Sequence, residues 1–279
     1  MGKPIIDDEP WKLIEPPLPP AKLRRRTPAS DRAAQTGMSV PKTIIRRRNL
    51  PAKMGCCSGE CRWRRLRDWQ QDGVWDALQA LLLAKLRAAN QIDFSRIAVG
   101  SSSIRAVGAG GKTGPYPTDR ARPSSEHRLS INAHGAPFST IPTGGNCNDV
   151  RQLIQLVETI VPIQGVRGRP LSDPKRVHTD RGCDHDTYRR ILHERHIPTS
   201  ISRCVKPHGS GLRKARWVVE RTHACLHHFR RQHIRFERRA DVPEACLKLG
   251  NYTIYWNTWQ RTHQALLNRL LANKKRDVA

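Results

Sequence analysis

The feature that most constrains the fold is a change of texture at Gln91: beyond it, short runs of strand character alternate with longer runs of helical period. Strand-like runs fall at residues 96–99, 127–132, 137–143 and 176–179, with a glycine- and proline-rich loop at 107–123. Helical patterns fall at residues 149–160, 184–195, 215–231 and 242–271. Strands that come first and then alternate with helices predict an α/β domain around a mixed sheet. A chain of 279 residues is long enough for one large domain or two modest ones, each with a real core.

Ahead of Gln91 the pattern is helical. Trp63, Leu66 and Trp69, then Val74, Leu78, Leu81, Leu82 and Leu86, recur at helical spacing, with Gly73 as the break between two helices. The segment CRWRRLRDW sets Arg62, Arg64, Arg65 and Arg67 around the Trp63/Leu66/Trp69 stripe. Burying the stripe points the guanidinium groups outward, either to a DNA backbone or simply to solvent. Nearer the start, residues 9–15 read as one helical turn stopped by PPLPP, because proline cannot donate to a helix ladder. Residues 31–45 begin with a capping Asp31 but are interrupted by Gly37 and Pro41, and Arg46, Arg47 and Arg48 lack an apolar face.

Fifty Lys and Arg against 24 Asp and Glu give a formal charge of +26, which calls for a partner of opposite sign, nucleic acid first. The excess is spread along the chain and is not gathered in a tail. The longest apolar stretch, residues 77–86, is broken by Gln79 and Lys85 and is much shorter than the ~20 residues of a membrane span. Residues 1–15 lack the apolar core of a signal peptide, so a cytoplasmic, nucleoid-associated protein is expected. The eight cysteines are scattered and read as reduced thiols; Cys56, Cys57 and Cys61 lack the paired spacing of a structural zinc site.

Two acidic motifs stand out in this basic chain. In HTDRGCD, Asp180 falls at the carboxyl end of a short strand, where ligands of open α/β sheets gather. The same residues also suit a plain turn, with Asp184 as a helix cap. In RWVVERTHACLHHFRR, Val218, Val219, Thr222, Cys225, Leu226 and Phe229 form an apolar face, leaving Arg216, Glu220, His223 and His227 on another. Glu220, with Arg216 four residues before it and Arg221 after it, suits a surface ion pair or a metal-binding carboxylate in a phosphate groove. His223 and His227 have the i, i+4 spacing of a metal pair, but the zinc-protease pattern is absent.

Taken together, VGSSSIRA, TGPYPTDR, TGGNCNDV, HTDRGCD, PHGSGL, RWVVERT and FERRAD resemble the DDE transposases of short bacterial insertion sequences, the group conventionally numbered five. The match runs in order over residues 7–249. The resemblance implies an RNase-H-like mixed sheet flanked by helices and preceded by a small helical DNA-binding region. It divides the chain into residues 1–92 for recognition of the element's inverted repeats, 93–250 for the catalytic domain and 251–279 for a C-terminal helix and tail. In this family two Asp and one Glu hold two Mg²⁺ or Mn²⁺ ions for in-line displacement at phosphorus. Asp180 matches the second aspartate and Glu220 the glutamate, as catalytic residues and metal ligands. Arg216 matches a basic residue upstream, and with Arg221, Arg62, Arg64, Arg65 and Arg67 it is a candidate DNA contact. The expected partners are double-stranded DNA, as element ends and target, and further copies of the chain, since both ends must be held together; no membrane partner is expected.

The departures from the family pattern are as informative. The first catalytic aspartate falls at Gly100, which has no side chain to offer a metal. Asp93 lies seven residues earlier and Asp149 starts a helix, so neither is an obvious substitute. Glu126 stands where the family carries lysine, which sets a negative charge near the DNA groove. Residues 40–55 replace a segment that normally holds a Trp-Arg pair. The chain therefore reads as a transposase impaired at strand cleavage, or as an inactive DNA-binding descendant of one. A basic RNA-binding protein would explain the charge but not the ordered motifs.

Overall fold

In a computed structural model, the structure describes residues 15–18, 59–203 and 213–276. The turn expected at residues 9–14, the features at 31–57 and the PHGSGL motif lie outside the described residues.

Two helices, α1 (Gly59–Gln71) and α2 (Val74–Ala88), open the fold. Gly73 joins them at φ 71, the left-handed conformation that a residue with a Cβ resists. Leu66, Trp69, Val74, Trp75 and Leu78 pack with Val242, Ala245 and Cys246 of the last helix, α7 (Asp241–Arg276). Leu82, Leu83 and Leu86 continue into the main core beneath the sheet. The helical pair therefore shares its hydrophobic core with the domain that follows.

Among the described residues the strands are β1 (Ile97–Ala106), β2 (Gly114–Pro115), β3 (Pro123–Asn132), β4 (Pro137–Gly144), β5 (Val177–Thr179), β6 (Thr199–Ile201) and β7 (Ile234–Arg235). They form one mixed sheet of seven strands, in the order β2-β3-β1-β5-β6, with β4 also on β3 and β7 also on β1. The β1–β3–β4 meander is antiparallel, while β5 and β7 pair with β1, and β6 with β5, in parallel. This is the RNase-H-like arrangement expected. β1 and β3 are longer than the strand runs read from the sequence, because the polar stretch Ser101, Ser102 and Ser103 is recruited into the ladder by the cross-strand partners Arg128, His127 and Glu126.

The helices α3 (Asp149–Glu158), α4 (Asp186–Glu194), α5 (Arg213–His227) and α6 (Arg230–His233) complete the fold. Leu153, Leu156 and Val157 of α3 close one face of the sheet together with Ile97, Val99 and Val177. Val218, Val219 and Leu226 of α5 close the other, against Ala98, Leu129 and Ile131. The α4 helix starts two residues later than the sequence suggests: His185 takes the cap position, and Asp184 instead accepts bonds from Arg189 at 2.6 and 3.0 Å. In α7, Tyr252, Tyr255, Trp256 and Trp259 pack on the main core, and the Tyr255 hydroxyl donates to the Pro137 carbonyl at 2.5 Å.

Candidate active site

The candidate site forms where β1 and β5 part. These strands pair in parallel at Ile97 with Val177 and at Ala98 with His178, so two residues further on the register sets Gly100 beside Asp180. Gly100 does not end its strand, as the sequence suggests; β1 continues to Ala106, held by β3 on its other edge. Asp180 leaves β5 into a 3-10 turn, Arg181–Cys183, in which Cys183 N–H donates to the Asp180 carbonyl at 3.2 Å.

Side chains alternate between the two faces of a strand, and here the alternation separates two chemistries. Ser101, with its cross-strand partner Arg128 and the next alternate residue Glu126, faces α3. Ser101 Oγ donates to Asp149 at 3.0 Å, Arg128 reaches Asp149 at 3.0 Å, and Arg128 also binds Glu126. Arg128 further donates to the Cys147 carbonyl at 2.6 Å. Its side chain is only 3% exposed. Burial pushes the Glu126 carboxyl upward against the opposing pull of Arg128. Glu126, expected near a DNA groove, carries a buried carboxyl answered by Arg128 on the sheet face away from α5.

Gly100 faces α5. A Cβ placed there would lie 2.6 Å from Val219 Cγ1, so the helix has closed onto the glycine. The same point lies 3.8 Å from an Arg216 terminal nitrogen, which is in turn 3.5 Å from Asp180 Oδ2. Asp180 Oδ1 and Arg216 Nε are both buried without a hydrogen-bond partner. A narrow crevice opens at the strand ends, lined among others by Gly100, Ser101, Asp149, Thr179, Asp180 and Cys183. Glu220 lies one residue past Val219 on α5, exposed to solvent, and does not line that crevice.

Residues 92–250, more than half of the chain, match the model of the transposase DDE domain. The chain belongs to the DDE transposase family. It is similar to the transposase described for insertion sequence element IS402 of Burkholderia cepacia, with 56% identity over 155 residues, or 56% of this chain and 74% of that protein. It is also similar to an uncharacterized 16.2 kDa protein of the same element and organism, with 68% identity over 123 residues, or 42% of this chain and 84% of that protein. Family membership implies DNA partners and divalent-metal chemistry. No helix among the described residues of this transposase is long and apolar enough to cross a membrane.

The residues of the transposase present at this point do not fit a pair of metal ions. Position 100 supplies no ligand, and Asp180 already faces a guanidinium. Among the described residues no three His, Cys, Asp or Glu side chains converge in a way that could hold a metal. Burial pushes the Cys183 thiol up to about 11, so it stays protonated at neutral pH and is a poor ligand.

Below Gly100 the α5 face carries histidines. The sequence pattern assigns His223 to the polar side of α5, but its ring is buried against the sheet, near His127 of β3. His227 is half-buried and its Nε2 lies 3.2 Å from Ser102 Oγ. Burial, and then the neighbouring histidines, push His127 down to about 3 and His223 to about 4. These rings are neutral packing groups near neutral pH. Helical period alone does not separate them from solvent-facing histidines, because α5 is covered over more than its apolar stripe.

The candidate DNA contacts are placed as follows. Arg216 is turned inward onto Asp180, and Arg221 donates to the His134 carbonyl at 2.6 Å while lying over the Trp217 ring at 4.5 Å. Arg67 pairs with Asp68 at 2.5 Å and lies over Trp63 at 5.4 Å; Arg64 pairs with Glu60 at 3.3 Å. Arg65 is half-buried on the same helix, and the side chain of Arg62 lies outside the described part. Arg128 and Asp149, which organise the opposite face, carry no motif signal as a pair; only the packing of α3 against the sheet brings them together.

Proposed function

We propose that this insertion-sequence transposase binds the DNA of its element's ends through a basic surface and is impaired in strand cleavage at Gly100. The observation that carries the reading is the contact at that residue: the space for a carboxylate beside Asp180 is filled by Val219 and bordered by Arg216. Asp180 and Glu220 are the remaining members of the catalytic set, and residues 1–92 contribute the helical region for end recognition. Residues 93–250 form the catalytic domain, with 251–279 as its terminal helix and tail. Phosphate contacts depend on cationic surface, and the charge of +26 supports binding that does not need the lost carboxylate. Two element ends held together imply a homo-oligomer acting at the nucleoid.

If electrostatic stabilisation by a metal supplies several kcal/mol, its loss costs roughly 10²-fold to 10⁴-fold in rate. The test is binding and cleavage of a labelled duplex carrying the element's own terminal repeat, with Mg²⁺ or Mn²⁺. The parent should shift the duplex and leave it intact. Because a side chain at position 100 meets Val219, the restoring variant is the double substitution Gly100→Asp with Val219→Ala. Cleavage by that variant alone supports the reading; cleavage by the parent overturns it.

A further inference from the structure

The void expected beside Asp180, where a metal ligand is missing, is not left as a vacant carboxylate pocket. Three observations converge on the same few ångströms. An Arg216 terminal nitrogen is 3.8 Å from the point where a side chain at position 100 would begin. The same guanidinium is 3.5 Å from Asp180 Oδ2. Asp180 Oδ1 and Arg216 Nε are both buried without a hydrogen-bond partner. A positive group thus borders both position 100 and Asp180.

We propose that the Arg216 guanidinium is a resident cation that takes the place of a divalent ion at the Gly100–Asp180 junction and excludes metal from it. The inference rests on the placing of Asp180 in the catalytic set, and concerns what that carboxylate pairs with in this chain. The physical reason is competition of like charges. A guanidinium cannot lose its proton at any working pH, so a divalent ion approaching Asp180 must either displace the whole side chain or be repelled by it. Val219 blocks one direction of retreat by filling the space over Gly100. Asp149 lines the same crevice but offers no alternative seat, because both of its oxygens are engaged, one by Ser101 and one by Arg128. The junction is then neutralised from within, and its contact with DNA is independent of divalent metal.

The test is direct titration of the full-length protein with Mn²⁺ alone, followed by electron paramagnetic resonance of the free ion, with no DNA present. Wild type, Gly100→Asp with Val219→Ala, that double variant with Arg216→Gln or Arg216→Lys added, and the Arg216→Gln form with Asp180→Asn added are compared, each checked for folding by its thermal melt. The expected result is no saturable site in wild type, where Asp180 is the single carboxylate of the junction. Once position 100 carries a carboxylate, Mn²⁺ binding should tighten at least about tenfold when Arg216→Gln is added, stay unchanged with Arg216→Lys, and be lost with Asp180→Asn. Stoichiometric Mn²⁺ binding by wild type would overturn the proposal. So would an Arg216→Gln change that leaves the affinity as it was, or a site that survives removal of Asp180. Since no DNA enters the titration, its failure is distinct from failure of the DNA-binding reading, which a mobility shift in EDTA tests separately.

Discussion

The two faces of the β1–β3 ribbon differ by one residue of register and by almost everything else. On the α3 face, Ser101, Glu126, Arg128 and Asp149 form a closed network whose central cation is buried and bonded on several sides. On the α5 face, Gly100 carries no side chain, Asp180 keeps one oxygen without a partner, and neutral histidines fill the layer below. The first face is closed by ion pairs, whereas the second holds Asp180, the carboxylate proposed as catalytic. The contrast shows that acidic residues close in space need not share a role: Asp149 and Asp180 line one crevice, but only Asp180 retains unused capacity.

The largest expected effect is on the closed face. Replacing Arg128 with Leu leaves Glu126 and Asp149 without their cation, and uncompensated buried charge costs about 3–5 kcal/mol. Thermal unfolding should show a fall of roughly 10 °C in melting temperature. A variant that melts with the parent would mean the network is an accessory and the contrast between the faces is false.

Acid should strike the other face next. His127 and His223 have folded pKa values below the unfolded value, so their stability contribution is complete above about pH 6.5 and is lost as the pH falls towards 4. At pH 5 the loss is about 2 kcal/mol for each ring, because the unfolded chain is protonated there and the folded one is not. Melting curves between pH 8 and pH 4.5 measure it. The slope should be shallower in His223→Gln, and an unchanged slope would remove the neutral-histidine layer from the argument.

At Gly100 the effect is smaller and conditional. Gly100→Ala pushes a methyl group against Val219, and such overpacking costs about 1–3 kcal/mol. In a denaturation cycle with Val219→Ala the two changes should couple favourably, since the second removes the group that the first strikes. Additive costs would show that α5 is not seated on Gly100. The smallest effect belongs to Asp180, whose side chain is 40% exposed and whose ion pair is long. Asp180→Asn should change stability by less than about 1 kcal/mol. A cost equal to that of Arg128→Leu would make Asp180 a structural residue like Asp149 and end the distinction drawn between them.

Much of this was legible from residue order. The strand run at 176–179 followed by Asp180, the break at Gly73, and the periodic stripes of α2, α3 and α7 are all found where their patterns lie. Local preference and periodicity suffice there, because each of those segments buries one face and the pattern records it. The short strands β2, β6 and β7 carry no such record. Two or three residues paired along a longer neighbour are too few for an alternation to show. His223 was misplaced for a related reason: a titratable residue looks solvent-facing until a distant segment covers it.

The amino-acid sequence by itself determined the α/β class, the ordered motifs that mark the DDE transposase family, and the absence of a carboxylate at position 100. Only the tertiary structure decided what fills that absence. Strand period states that Gly100 and Ser101 point to opposite faces, but which helix lies over each face depends on long-range packing. That packing sets Val219 and Arg216 over Gly100, and Asp149 with Arg128 behind it.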